Sequence, residues 1–295
     1  MLKLSILLPL LYSLSFGSTI DDEVQQLIKK TKENMVFVKG GSFMMGDPLF
    51  IDNESGAYGE ERQIIGSPEN KKKHPDARWE PTTFGYSGEG QHKVTLSDFS
   101  IQKYMVTWKD FDTYSKFKNN PLLSKKWMGR RDWRKPDHAV KVHWQEAKDY
   151  CQWLGKQTDE NFDLPTEAQW EYAARSRGEY VFWATNDGSG NNGGSKTFGE
   201  VQNIAYHENQ VGTMLPNPLG LYDMSSGFRY EWVNDWYDEN YYKSSPESNP
   251  KGPQNGTERV LRNSSDEMST VAYGRFHRKS KGKYRIPSFR CIINP

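Results

Sequence analysis

The side chains able to do chemistry in this chain are few. It has two cysteines, Cys151 and Cys291, and six histidines, His74, His92, His138, His143, His207 and His277. A thiolate can act as a nucleophile or hold a soft metal. Two histidines four residues apart on a helix can hold zinc. No histidine pair has that spacing. His138 and His143 are close, but a Pro-Asp-His loop leading into a strand does not put both on one face, so each histidine reads as a surface or hydrogen-bonding residue. An iron site assembled across the fold stays open. The Gly188–Gly194 stretch lacks the strand–turn–helix context of a phosphate loop, and no serine nucleophile elbow occurs. Arg275, Arg278, Lys279, Lys281, Lys283, Arg285 and Arg290 form a run without an acid. That run reads either as a solvated loop or as a surface for an acidic partner or anionic ligand.

The cysteines can form a bridge or stand as two thiols. The first residues bear on the choice. Met1-Leu2-Lys3 is a short positive start, an apolar stretch runs from Leu4 to Phe16, and Ser15 and Gly17 suit a cleavage site. Residues 1–17 therefore read as a secretory signal peptide, too short to span a membrane. Export favours the bridge. It would close a loop of roughly 140 residues, worth at most ~5 kcal/mol in the chain-entropy model. The sequons at Asn53, Asn255 and Asn263 matter only in a eukaryotic secretory pathway. The expected location is the periplasm in a bacterium and the secretory pathway otherwise.

The 295 residues carry 39 bases and 38 acids, and removing residues 1–17 takes away Lys3 alone, so the remainder is balanced. No global charge drives binding to nucleic acid or an anionic membrane. Apolar residues make up 35% of the chain, but 10 Trp, 16 Tyr and 14 Phe argue against disorder. Such a composition suits much irregular backbone stabilised by large rings.

Several elements must position these residues. Residues 18–34 are polar with apolar Val24, Leu27 and Ile28 at helical spacing. Met35–Gly46 reads as a strand pair around a Gly-Gly turn. Residues 47–90 are polar and rich in Gly, Pro and charge, and read as an insertion. Val94–Phe99 alternates like a strand, and Val106–Phe117 reads as a helix. Trp144–Lys156 sets Trp144, Ala147, Cys151 and Leu154 on one helical face. Thr166-Glu-Ala-Gln169 is a capping box opening a helix to about Arg175. Without an internal repeat or linker, residues 35–295 read as one domain.

These pieces, in order, resemble the formylglycine-generating enzyme, or sulfatase-modifying factor, domain family. The resemblance rests on Met35–Gly46, on His92-Lys-Val-Thr-Leu with Tyr104-Met-Val-Thr107, and on Val142–Trp153. Its most specific piece is Leu164-Pro-Thr-Glu-Ala-Gln-Trp-Glu-Tyr-Ala-Ala-Arg175, followed by Pro216–Met224, Glu231–Trp236 and Ser288–Cys291. The resemblance implies an α/β (α+β), C-type-lectin-like fold with much irregular structure. It also implies that Cys151 pairs with Cys291. Structural calcium is implied at Asn203, Asp223 and Glu231, hard oxygen ligands of the right kind.

The chain departs from the family at its oxidative centre. Active members place two copper-binding cysteines after a Gly-Gly-Ser-aromatic motif, where thiolates suit copper(I). Here the stretch reads Arg262-Asn-Ser-Ser-Asp266. Ser265 falls on the family serine, and the two cysteine positions hold Met268 and Tyr273. No copper and no formylglycine formation are expected. Two functions follow. One is a binding protein that reuses the scaffold for a partner in the cell envelope or secreted, without a transmembrane anchor. The other is an oxidative tailoring enzyme of the family, like its siderophore-tailoring or non-haem-iron branches. Its pocket would be lined by Ser265, Met268, Tyr273 and Arg275, with Ser265 and Arg275 orienting a substrate. Whether the chain is an enzyme is open at this level.

Overall fold

The computed structural model describes residues 19–46, 49–52, 62–65, 68–73, 91–123, 134–181, 183–188, 210–225, 230–263, 272–282 and 287–295. The expected signal peptide, Asn203, Ser265, Met268, the Asn53 sequon and most of the 188–194 stretch lie outside these residues.

The chain opens with α1 (Ile20–Glu33), then β1 (Met35–Val38) and β2 (Gly41–Met45). The described part of the 47–90 insertion holds a hairpin, β3 (Leu49–Asp52) with β4 (Arg62–Ile65), and a short helix, α2 (Pro68–Lys73). Next come β5 (His92–Leu96), β6 (Phe99–Gln102), α3 (Trp108–Phe117), α4 (Trp144–Thr158), β7 (Asn161–Asp163) and α5 (Glu167–Ala174). β8 (Glu231–Trp236), a 3-10 turn (Tyr241–Lys243), β9 (Arg259–Arg262), β10 (Phe276–Arg278) and β11 (Ile292–Asn294) complete the order.

The helix starts follow capping chemistry. Thr19, Thr107 and Thr166 each accept the amide three residues on, and Asp22, Asp110 and Gln169 reach back to the cap amide. Two orphan donors are thereby satisfied at each start. Thr107 moves the third helix two residues later than the apolar pattern suggests. Val106 precedes the cap, and its amide donates to Phe289 O.

The strand pair expected at Met35–Gly46 is corrected by the structure. β1 and β2 do not pair with each other. β1 lies antiparallel to β6 and β2 antiparallel to β5, in one register that continues from Met35↔Gln102 to Met45↔His92. The Gly-Gly is therefore no hairpin tip. It marks where two antiparallel ribbons pass at a break, and the alternation at 94–99 is split there by Ser97-Asp98. Gly40 donates to Asp98 Oδ1 at 2.9 Å. A Cβ on Gly40 would stand 2.3 Å from Leu96 O, so the close backbone approach requires glycine.

β1, β6, β11 and β7 form an all-antiparallel sheet in that order. Its two faces carry two cores. Cys291 and Ile293 face one, with Trp108, Phe111, Tyr150, Trp153 and Phe289 from the α1, α3 and α4 side. Ile292 faces the other, with Val38, Phe99, Ile101 and the apolar residues of α5. That alternation is the period of two of a strand buried on both faces. α4 is fastened to the residue just before β11 by the Cys151–Cys291 disulfide, with a Cα–Cα distance of 5.6 Å. Both sulfurs are fully buried.

A second sheet, β10-β9-β8, is antiparallel and irregular, with a register shift between Trp232 and Trp236. α5 packs against β8 and β9 of this sheet and against β2 and β5. The fold is thus mixed α/β, with small sheets rather than a barrel.

Replacing both Cys151 and Cys291 by Ala is expected to cost about 2–5 kcal/mol of stability. Urea unfolding of the double variant checks this; an unchanged midpoint would contradict it.

Candidate functional site

Of the residues implied by the resemblance, Arg275 reaches α5, the one helix among the described residues that is buried on every side. All eight of its residues are buried, including two carboxylates, Glu167 (1% exposed) and Glu171 (0%). One helical turn apart, they point into the same protein interior. An unpaired ionised carboxylate there costs several kcal/mol. Three arginines compensate, all at most 2% exposed: Arg175 at the helix C-cap, Arg262 at the end of β9 and Arg275 just before β10.

The bonding is closely shared. Glu171 Oε1 accepts from Arg175 Nη1 at 2.8 Å and from the Gly46 amide at 2.9 Å, while its Oε2 accepts from Arg262 Nη2 at 2.9 Å. Glu167 Oε1 accepts from Arg262 Nη1 at 3.1 Å, from Arg275 Nε at 2.9 Å and from the Tyr242 hydroxyl at 3.1 Å. The arginines carry on to backbone carbonyls. Arg175 reaches Met44 O, Arg262 reaches Ala272 O, and Arg275 reaches Asp238 O. Burial raises the Glu171 carboxyl, but Arg262 and Arg175 outweigh it and hold it below the ordinary range. Burial alone would lower Arg262, and Glu171, Tyr242 and Glu167 reverse the shift.

A third carboxyl behaves differently. Asp235 accepts the Glu167 amide at 2.8 Å. Burial, and then the charge of Glu167, push it up to about 8. Beside this group the His92 ring packs on Tyr242, centroids 4.4 Å apart. Neither His92 nitrogen has a hydrogen-bond partner among the described residues. Burial lowers its pKa, against the pull of Glu171 and Glu167. The imidazole is therefore held neutral.

Tyr273, on a family cysteine position, is 4% exposed, and Arg275 is 2% exposed. Arg275, read as a substrate-orienting group, directs its guanidinium to Glu167 in the interior. The basic run divides between interior and surface, with Lys283 and Arg285 outside the described residues. Arg290 is fully buried and forks onto Glu231, Nε to Oε2 at 2.7 Å and Nη2 to Oε1 at 2.9 Å. Lys279 and Lys281 remain exposed. Asp223, read with Asn203 and Glu231 as a calcium ligand, accepts the Gly212 amide at 2.6 Å and the Met214 amide at 3.3 Å. Glu231 has a guanidinium where a cation would sit. Both carboxylates therefore brace protein donors in this structure. No group of three or more His, Cys, Asp or Glu able to hold a metal occurs among the described residues. Asn263, the third sequon, is fully buried and donates to Asp223 O, which leaves no room for a glycan.

Sequence reasoning missed Glu167, Glu171, Asp235 and Tyr242. One signal was available. Two glutamates sit in a helix whose remaining residues are nearly all Ala, Trp or Tyr, and a charge in such a segment needs a partner.

A family model described as Sulfatase-modifying factor enzyme 1-like domain matches residues 21–294. Serine/threonine-protein kinase pkn1 of Chlamydia pneumoniae is 31% identical over 228 residues, covering 69% of this chain and 34% of that protein. A formylglycine-generating enzyme of Streptomyces coelicolor is 35% identical over 141 residues, covering 44% and 43%. Chaperone protein LppX of Paenibacillus barcinonensis is 30% identical over 207 residues, covering 57% and 70%. The chain spans less than half the length of the first two. Among solved structures, PvdO from Pseudomonas aeruginosa superposes with a TM-score of 0.62 at 22% identity, covering 88% of this chain and 94% of that one. Treponema denticola variable protein 1 gives 0.59 at 20%, covering 88% and 95%. At such identities the likeness is one of fold.

Two outcomes are expected. Arg275→Ala should lose about 3–5 kcal/mol of stability, because it leaves a buried carboxylate short of charge. A loss under ~1 kcal/mol in chemical unfolding, the size typical of a solvent-exposed pair, would contradict the buried role. For Asp235, the folded pKa lies above the unfolded one of about 3.9, so the native state binds the extra proton. The associated stability is full below the unfolded value and falls as pH rises, until it is gone above about 8. Asp235→Asn should therefore lose less melting temperature than the wild type between pH 6 and 9. Parallel profiles would refute this.

Proposed function

Because the chain belongs to the sulfatase-modifying factor enzyme 1-like family, we propose that it reuses the family scaffold to bind a protein partner rather than to make formylglycine. One observation carries the reading. The chain has only two cysteines, and both are joined in the disulfide between α4 and the residue just before β11. No thiolate is left for copper, and the family positions hold Met268 and Tyr273. A relative of which the chain covers 70% bears the name chaperone, a protein-binding role, and supports the same reading.

The partner is a protein of the cell envelope or a secreted one. The apolar stretch Leu4–Phe16 after Lys3, together with a structural disulfide, supports export. The scaffold is read as one of the C-type-lectin kind, as the resemblance implies. The kinase name of the chlamydial relative is not carried over. The match covers 34% of that protein, and this chain has no Gly-rich phosphate loop.

Two measurements test the proposal together. The purified protein, supplied with copper and oxygen, should leave a Cys-X-Pro-X-Arg peptide unchanged in mass. Photo-crosslinking in the native host should trap a defined envelope or secreted protein, and deleting residues 47–90 should weaken that adduct. Aldehyde formation on the peptide, or the absence of any specific adduct, would overturn it.

A further inference from the structure

The rear of the second sheet holds an arrangement that the acid–arginine group does not use. Arg259 of β9 and Trp236 of β8 are cross-strand partners. The Arg259 guanidinium lies between two indoles, 3.3 Å from the ring centroid of Trp236 and 3.6 Å from that of Trp144. The stack fixes the guanidinium plane. Trp144 is itself fixed, its indole N–H donating to Val233 O at 2.8 Å.

So rigid a guanidinium is ordinarily consumed by a carboxylate. Here Nη1 donates to Asn234 O at 2.7 Å, and Arg259 has no other hydrogen bond among the described residues. Its Nε is buried without an acceptor. The nearby acid, Asp235, is turned to the Glu167 amide. Burial lowers Arg259 to about 10, against the weaker pull of Asp235. The cation remains charged at neutral pH and is under-compensated.

Arg259 lines a cavity of about 600 Å³ with Trp144, Trp236, His143, Glu146 and Lys281. Lys281 is exposed and has no ion pair among the described residues. Glu146 is the one acid of the lining, and its Oε2 accepts the His143 amide at 2.7 Å. Two cations without acidic partners among the described residues thus face one indole-walled cavity.

We propose that this cavity binds an oxyanion, a carboxylate or phosphate group, on the free donor edge of Arg259, with Lys281 closing over it. A guanidinium edge presents parallel donors to two oxygens of one group, which a point charge cannot do. The pre-set plane lowers the entropy lost on binding. Tyr273 is not among the residues lining the site, which stands whether or not a protein partner is bound.

Titration of the full chain with inorganic phosphate, and separately with acetate, tests it at constant ionic strength made up with chloride. The readout is the NMR signals of the Arg259 Nε–H and of the Trp144 and Trp236 indole N–H groups. One of the two anions should give saturable shifts confined to these signals, and which one does so identifies the class. Lys281→Gln, on an exposed side chain that does not endanger the fold, should weaken binding several-fold. Arg259→Gln should weaken it about tenfold or more, the size of one lost charge-assisted hydrogen bond. Shifts that never saturate, that chloride reproduces, or that persist unchanged in Lys281→Gln would overturn the proposal.

Discussion

A helix buried on every face cannot carry two glutamates unless the rest of the molecule brings charge to them. That constraint organises this fold. α5 packs on the β2–β5 ribbon and on β8 and β9 of the second sheet, and Glu167 and Glu171 are almost without solvent. Three arginines from three separate stretches of chain must arrive at one place. Each also donates to a backbone carbonyl of another segment. The ion pairs therefore do more than cancel charge. They tie β2, the C-terminal end of β9 and the approach to β10 to one helix. The Coulomb gain of such pairs is largely offset by desolvation, so their contribution lies in holding one arrangement rather than in net stability.

The same device recurs at the edge of the second sheet. Arg290 forks onto Glu231 and donates to Gln102 O, Lys103 O and Tyr222 O. One residue away, Cys291, just before β11, is bonded to Cys151 of α4. Two adjacent residues thereby lock the chain's last strand to both halves of the molecule, one by charge and one covalently. The thiols that would perform the family's oxidation are absent, their positions held by Met268 and Tyr273. A scaffold kept while its redox residues are replaced by Met and Tyr is the physical basis for reading it as a binding protein.

Charge that cannot be paired marks the other side of the molecule. Arg259 is held as firmly as the arginines of α5, but by indole faces rather than by carboxylates. Aromatic stacking fixes a guanidinium without neutralising it. The contrast between Arg262 and Arg259, three residues apart on one strand, shows the two uses of the same side chain. One is satisfied inside the fold, and the other keeps donors for something outside it.

Local chemistry was legible in the residues alone. The capping box at Thr166, the apolar face of α4 and the strand alternation around residue 94 depend on neighbours within one or two turns, and they appear in the structure near their expected bounds. The family pattern and the loss of its cysteine pair were equally legible, since both are statements about residue type and order. Pairing was not. The Gly-Gly at 40–41 looks like a hairpin tip because nothing nearby reveals that β1 and β2 take partners some sixty residues away. Nor could the run of bases after residue 275 be sorted into surface and interior. Arg275 and Arg290 leave that run for Glu167 and Glu231, at separations of 108 and 59 residues. Charge compensation acts through space, and only the tertiary structure decides which cation meets which buried acid and which is left facing a cavity.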